Sequence, residues 1–347
     1  MGAGKLRTGL LGLDRRGQLV LDALVRSDGF EVIAVADRDA AVAARLAGQS
    51  GCAAFDDYRQ FTIQNSFDCL IVCAGLHSCL EHVRMAIKKR THVLKWAPMA
   101  RGFAEASELA ALAAAEQVRF DVATPLLYCD CLSQVRRRLS EGPADRPFLV
   151  RAFWDVGRPA ETTDGHAVWM TDRGLAGGGV LLHDGYGLID CLVRSLGMPQ
   201  QVYCLHRSLA SNKAIPYLAE DVAVLSIRFG DGLLAELALI RHWDDRAGCR
   251  QVTLYAKDDA VAAQCQRPGI CDRCSQALDR TEPACDEMDM TARLLTDYAS
   301  SLLCPEDHPF ASDARTNLRV MAVIEAAYVS AQTGSPETPA KIMDRPT

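Results

Sequence analysis

The chain is 347 residues long, 49% apolar and 24% charged, with a formal net charge of −6 and a pI near 5.8. That length suits two domains of ordinary size, each with enough apolar material for a core. The acidic balance excludes the broad basic footprint of a nucleic-acid or anionic-membrane binder, and no apolar run approaches the roughly 20 residues of a membrane span. The densest basic stretches, Lys88-Lys89-Arg90 and Arg136-Arg137-Arg138, are short and read as solvated helix ends or faces. The opening MGAGKLRTGLLGL lacks the long apolar core of a signal peptide, so the expected location is the cytoplasm.

In chain order, residues 5–13 read as a first strand and 15–27 as a helix. Residues 30–37, FEVIAVAD, read as a second strand ending in an acid, followed by the Ala-rich helix 38–51 with Gly51 as its stop. DCLIVCAG, 68–75, is a continuous apolar run of the kind found in a buried parallel strand. Residues 79–90 read as a helix, 91–97 as a strand, 102–118 as a helix and 119–125 as a strand. Strands alternating with helices imply βαβ units and a parallel sheet. This domain is expected to span 1–124, and the second 125–347.

From Tyr128 the pattern changes. One helix, SQVRRRLS, precedes longer strand-like runs at 148–156, 201–210, 222–230, 232–240 and 251–257. FGDG, 229–232, is a hairpin signal between two of them. Helices are expected at 178–196 and 311–333. The expected class is therefore α/β: an N-terminal Rossmann parallel sheet plus a C-terminal α+β domain with an open, mostly antiparallel sheet.

The stretch GLLGLDRRG, 9–17, lies between the first strand and the first helix, where G-x-G-x-x-G cradles a pyrophosphate. Gly12 and Gly17 hold the first and third glycine positions, and Asp14 holds the middle one. A side chain there restricts close approach, and a carboxylate repels phosphate at a helix N-terminus. Asp14 also suits the role of helix cap, which competes for the same N–H groups.

With the Rossmann half and the Asp37 strand end, four further segments carry a resemblance over nearly the whole chain. They are THVLKWAPMA, GGGVLLHDGYGLID, and the pair EDVAVLSIRF and VIEAAYVSAQTG. The chain resembles the Gfo/Idh/MocA oxidoreductases, the glucose–fructose oxidoreductase and inositol dehydrogenase superfamily. The resemblance implies NAD or NADP as cofactor and a sugar, polyol or related small molecule as substrate. It also implies a homo-oligomer formed through the C-terminal sheet. Under it, Gly12, Asp14, Gly17, Asp37 and Arg38 are the cofactor-binding candidates. Asp37 would meet the ribose hydroxyls, whereas Arg38 beside it would meet a 2′-phosphate, so NAD and NADP both stay open.

Several family positions have changed. The Thr-Pro-Asn loop is Ala74-Gly75-Leu76, and the Glu-Lys-Pro segment is Trp96-Ala97-Pro98. Lys95 lies two residues before Ala97, on the same face of a strand, and is the candidate replacement for the lysine. The family's Asp and His, one helical turn apart, are His183 and Gly187 here. His183 becomes the candidate acid/base, with Asp190 two turns further along one helix. Two readings follow: an NAD(P)-dependent oxidoreductase with a strongly altered site, or an inactive family member that binds ligand or regulates. A third rests on Cys265, Cys271, Cys274 and Cys285, spaced C-x5-C-x2-C-x10-C. Four thiols can hold zinc or an iron–sulfur cluster, but this is not a zinc-ribbon spacing.

Overall fold

The computed structural model describes residues 4–140, 146–157, 166–209, 218–242, 249–257, 260–264 and 286–345. Two compact units emerge: Met1–Pro125 with Glu287–Asn317, and Leu126–Asp286 with Leu318–Thr347. The expected second domain, 125–347, makes one continuous piece, but residues 287–317 belong with the N-terminal unit.

The first unit alternates strand and helix: β1 (Leu6–Leu11), α1 (Arg15–Arg26), β2 (Phe30–Ala36), α2 (Ala40–Ser50), β3 (Ala53–Phe55), α3 (Tyr58–Gln64), β4 (Cys69–Val72), α4 (Leu76–Lys88), β5 (His92–Trp96), α5 (Phe103–Ala115) and β6 (Phe120–Ala123). All five strand pairings are parallel, in the order β3-β2-β1-β4-β5-β6. That is the doubly wound order, with its switch point between β1 and β4, where ligands bind beyond the carboxyl ends of the strands. All four residues of β4 are buried, as a strand covered on both faces requires. Local chemistry sets the helix ends. Asp39 accepts from Ala41 N and Val42 N to start α2, and Gly51, at φ 69°, stops it as expected.

The second unit contains α6 (Asp130–Leu139), β7 (Leu149–Val156), α7 (Arg173–Ala176), α8 (Val180–His183), α9 (Tyr186–Leu196), β8 (Gln201–Arg207), β9 (Val222–Arg228), β10 (Leu234–Arg241), β11 (Arg250–Tyr255) and β12 (Ala260–Gln264). Its sheet runs β12-β11-β7-β10-β9-β8. Only the β7–β10 pair is parallel, so the sheet is mostly antiparallel. The FGDG turn joins β9 to β10 as a hairpin. Along β7, Val150, Ala152, Trp154 and Val156 are buried while Arg151 and Phe153 are exposed, so one face packs on the core and the other is open.

The chain then returns to the first unit through α10 (Glu287–Leu303), an element that sequence reading missed. It packs on α1, Ala299 lies against Gly29 just before β2, and Arg119 donates to Ser301 O and Oγ. The last helices are α11 (Ala314–Thr333) and α12 (Pro339–Met343). Among the described residues no helix is long and apolar enough to cross a membrane.

Candidate functional site

At the first βα turn, three of the cofactor-binding candidates are fixed by contact. Gly12 has φ 91°, and a Cβ there would lie 2.4 Å from Ala74 N at the end of β4. A Cβ on Gly17 would lie 2.0 Å from Gly12 O. Both glycines are therefore demanded by close packing of turn, strand and helix. Asp14 sits at φ −59° and ψ −177°, a backbone conformation any residue adopts, so its replacement of glycine leaves the turn's path intact. Its Oδ1 accepts from Gly17 N at 2.9 Å, which makes it the N-cap of α1.

Asp37 reaches back to this turn. Its Oδ2 accepts from Leu13 N at 2.6 Å and its Oδ1 from Asp39 N at 2.9 Å. Arg38 is exposed, with its guanidinium over the Tyr58 ring. The residues fit a dinucleotide at the turn and at the ribose acid. At the pyrophosphate position Asp14 adds a carboxylate to the positive end of α1, whose first turn carries Arg15 and Arg16 and no acid.

Lys95 is 3% exposed, and its Nζ donates to Trp96 O at 2.7 Å. Burial lowers its pKa, and the nearby Arg16 charge lowers it further, opposed by Cys79, Cys73 and Asp14. Trp96 occupies the place of the family's glutamate, and Arg16 stacks over its ring at 5.9 Å. Trp96 was visible in the sequence as a changed family position, but its stack with Arg16 was not, because it depends on how β5 meets the start of α1.

A buried ammonium with one backbone acceptor costs stability. Burial favours its neutral form, so the folded pKa lies below the unfolded value of about 10.5. Stability then rises with pH between the two values. Lys95→Met should raise stability at pH 7 by about 1–4 kcal/mol. The gain should shrink as pH climbs toward that unfolded value, which urea titrations at several pH values would measure. A destabilising Lys95→Met at pH 7 would show that the ammonium is well compensated.

In the second unit the expected helix 178–196 is broken. His183 ends α8, residues 184 and 185 interrupt, and α9 starts at Tyr186. His183 and Asp190 therefore lie on separate helices, not two turns apart on one. His183 Nε2 lies 3.0 Å from Ala176 O, an acceptor only, so the neutral ring carries its proton on Nε2. Trp169 meets the imidazole edge-on at 5.8 Å. Asp184 pairs with Arg241, which is 1% exposed, and Asp190 pairs with Arg194 at 2.7 Å. Gly187 packs against Leu126, whose Cδ1 would lie 2.6 Å from an added Cβ.

The run Gly177-Gly178-Gly179 has a steric cause. Gly177 has φ 78°, a Cβ on Gly178 would meet Tyr328 Oη at 1.9 Å, and one on Gly179 would meet Glu220 O at 1.9 Å. Glu220 anchors this segment. It is 1% exposed and accepts from Gly179 N, Leu181 N and Tyr328 Oη. Its importance was invisible in the sequence, where an acid before a strand reads as exposed.

The four-cysteine stretch lies outside the described residues. Among the described residues no group of three or more His, Cys, Asp or Glu is placed to hold a metal.

Family models match both halves of the chain. Residues 6–124 match the model described as oxidoreductase family, NAD-binding Rossmann fold, and residues 132–255 match the GFO/IDH/MocA C-terminal domain. The chain belongs to the Gfo/Idh/MocA family. Among solved structures, GenD2 from gentamicin A biosynthesis, in complex with NAD, is 19% identical, with 96% of each chain covered and a TM-score of 0.80. The WlbA dehydrogenase from Bordetella pertussis, in complex with NADH and UDP-GlcNAcA, is 20% identical, with 96% of this chain and 98% of that chain covered and a TM-score of 0.80. A myo-inositol dehydrogenase from Corynebacterium glutamicum is 14% identical over 99% of this chain and 100% of that chain, with a TM-score of 0.76. At these identities the likeness is one of fold. No curated protein sequence matches the chain.

Proposed function

We propose that this Gfo/Idh/MocA member is an NAD(P)-dependent oxidoreductase of a sugar, polyol or related small molecule, with a strongly altered site. The observation that carries the reading is the first βα turn. Gly12 and Gly17 are held by steric contact, and Asp37 is tied to Leu13 N, so the architecture of a dinucleotide turn survives the change to Asp14. A bound nicotinamide dinucleotide supplies the hydride or accepts it. Gly12, Gly17, Asp37 and Arg38 would hold it, with Asp14 capping α1 at the pyrophosphate position, and Lys95 and His183 are each candidates to serve the substrate, His183 through proton exchange.

The open face of the second sheet supports self-association into a homo-oligomer. It exposes Phe153, Leu205, Val224 and Leu234 by 41–56%. The free thiols Cys69, Cys73, Cys79, Cys191 and Cys204, all buried, suit a reducing cytoplasm.

A second reading, a member that binds ligand without turnover, is favoured by one pair of observations. Ala97 stands where the family has lysine, and the Lys95 ammonium is spent on Trp96 O. Both readings need ligand, but the first needs the dinucleotide. Millimolar NAD(H) or NADP(H) should raise the melting temperature. At a ligand concentration about 100 times Kd the stabilisation is about 2.7 kcal/mol. An unchanged melting temperature with all four nucleotides would favour the second reading.

A further inference from the structure

Two cysteines at the start of α6 take no part in the reading above. Cys129 is the N-cap residue of α6, and Cys131 lies in its first turn. Both are buried, and their sulfurs lie 3.0 Å apart. Metal–thiolate bonds are about 2.3 Å long, so one soft ion reaches both sulfurs at once. Asp130 between them is exposed, so the turn sends both thiols inward and the carboxylate outward. The frame around the pair is fixed. Cys129 O accepts from Ser133 N and Ser133 Oγ, and Arg136 donates to Ser133 Oγ and to Leu127 O. The N-terminus of α6 and the Arg136 guanidinium bring positive charge toward the pair, which favours thiolate over thiol.

The other buried thiols differ. Burial pushes Cys69, Cys73, Cys191 and Cys204 up to about 12, which keeps them neutral, and all four are free. Among the described residues, Cys129 and Cys131 are the one pair of sulfurs in contact. A tetrahedral metal needs four ligands, and the described residues supply these two. The sequence supplies more. β12 packs on α6, and Cys265 directly follows Gln264, the last residue of β12. Cys265 opens the C-x5-C-x2-C-x10-C run, which lies outside the described residues.

We propose that Cys129 and Cys131 are thiolate ligands of a metal centre, zinc or an iron–sulfur cluster, with the thiols of that run as the sequence's candidates for the remaining ligands. Each thiol gives its proton to solvent on binding, and no electron changes hands. The centre is independent of the dinucleotide turn. Full-length protein purified anaerobically should carry stoichiometric zinc, or iron with acid-labile sulfide, and elemental and sulfide analyses tell the two apart. Replacing the pair by Cys129→Ser and Cys131→Ser together should lower the bound metal at least about tenfold. Cys191→Ser, which removes a buried thiol outside the pair, should leave it unchanged. Alkylation of the wild type, mapped by mass spectrometry, needs no variant: Cys129 and Cys131 should be shielded, then labelled once a chelator strips the metal. A metal-free protein that takes up neither Zn²⁺ nor Fe²⁺ with sulfide would overturn the assignment. So would metal that survives the double substitution, or labelling of the pair that the chelator does not change.

Discussion

Glu220→Ala should destabilise the protein by about 3–5 kcal/mol, far more than a surface substitution. The carboxylate accepts from Gly179 N at 2.9 Å, Leu181 N at 3.0 Å and Tyr328 Oη at 2.9 Å, and the residue is 1% exposed. Alanine strands all three donors away from water. Glu220→Gln keeps the shape and one acceptor oxygen, so it should lose roughly half as much. The damage should also reach His183, because these bonds start α8, which ends in it. Urea unfolding of the two variants measures the first effect. A loss below about 1 kcal/mol for the alanine variant would show that α8 is held by other contacts.

Gly17→Ala should cost about 3 kcal/mol and remove dinucleotide binding. The sign of the effect is diagnostic. Gly17 lies inside α1, and glycine to alanine within a helix is ordinarily stabilising by about 1 kcal/mol. Here the added Cβ meets Gly12 O at 2.0 Å and Gly12 C at 2.8 Å. Both are backbone atoms, so no side-chain rotation relieves the contact. The turn must open, and Gly12 has no slack, because Ala74, just past β4, packs against it. Denaturation curves would settle the sign, and a stabilised Gly17→Ala would mean that the turn is looser than described.

The parallel sheet was legible because β4 and its neighbours are short apolar runs separated by amphipathic helices. Gly51 and FGDG were legible because a left-handed stop and a hairpin turn each need particular residues at particular places. The break at residues 184–185 was not. The apolar period runs through it, and Gly185, whose added Cβ would meet Leu181 O at 2.7 Å, sits inside that period. The return of α10 to the first unit was hidden because its partner α1 is far away in sequence.

The candidate site was legible as positions rather than as chemistry. Strand alternation put Lys95 on one face, but its burial depends on what surrounds that face. His183 was visible as a histidine in a segment that faces substrate in the family, but not as a group bound to Ala176 O. Asp14 as a helix cap was foreseen from its type and place, and it accepts from Gly17 N as a cap does. The acid Glu220 and the shelf Tyr58 had no local signal, because their roles come from the residues that fold onto them.

Parallel fluorescence titrations of wild-type protein and Asp14→Gly with a nicotinamide dinucleotide test the central claim most directly. That claim is a working dinucleotide turn in which the Asp14 carboxylate competes for the positive end of α1. The expected result is saturable binding by the wild type and about tenfold tighter binding by Asp14→Gly, as the carboxylate leaves Gly17 N and the repulsion disappears. Loss of the cap should cost only a few tenths of a kcal/mol, because glycine is itself a tolerable cap. Failure of both proteins to bind would contradict the account.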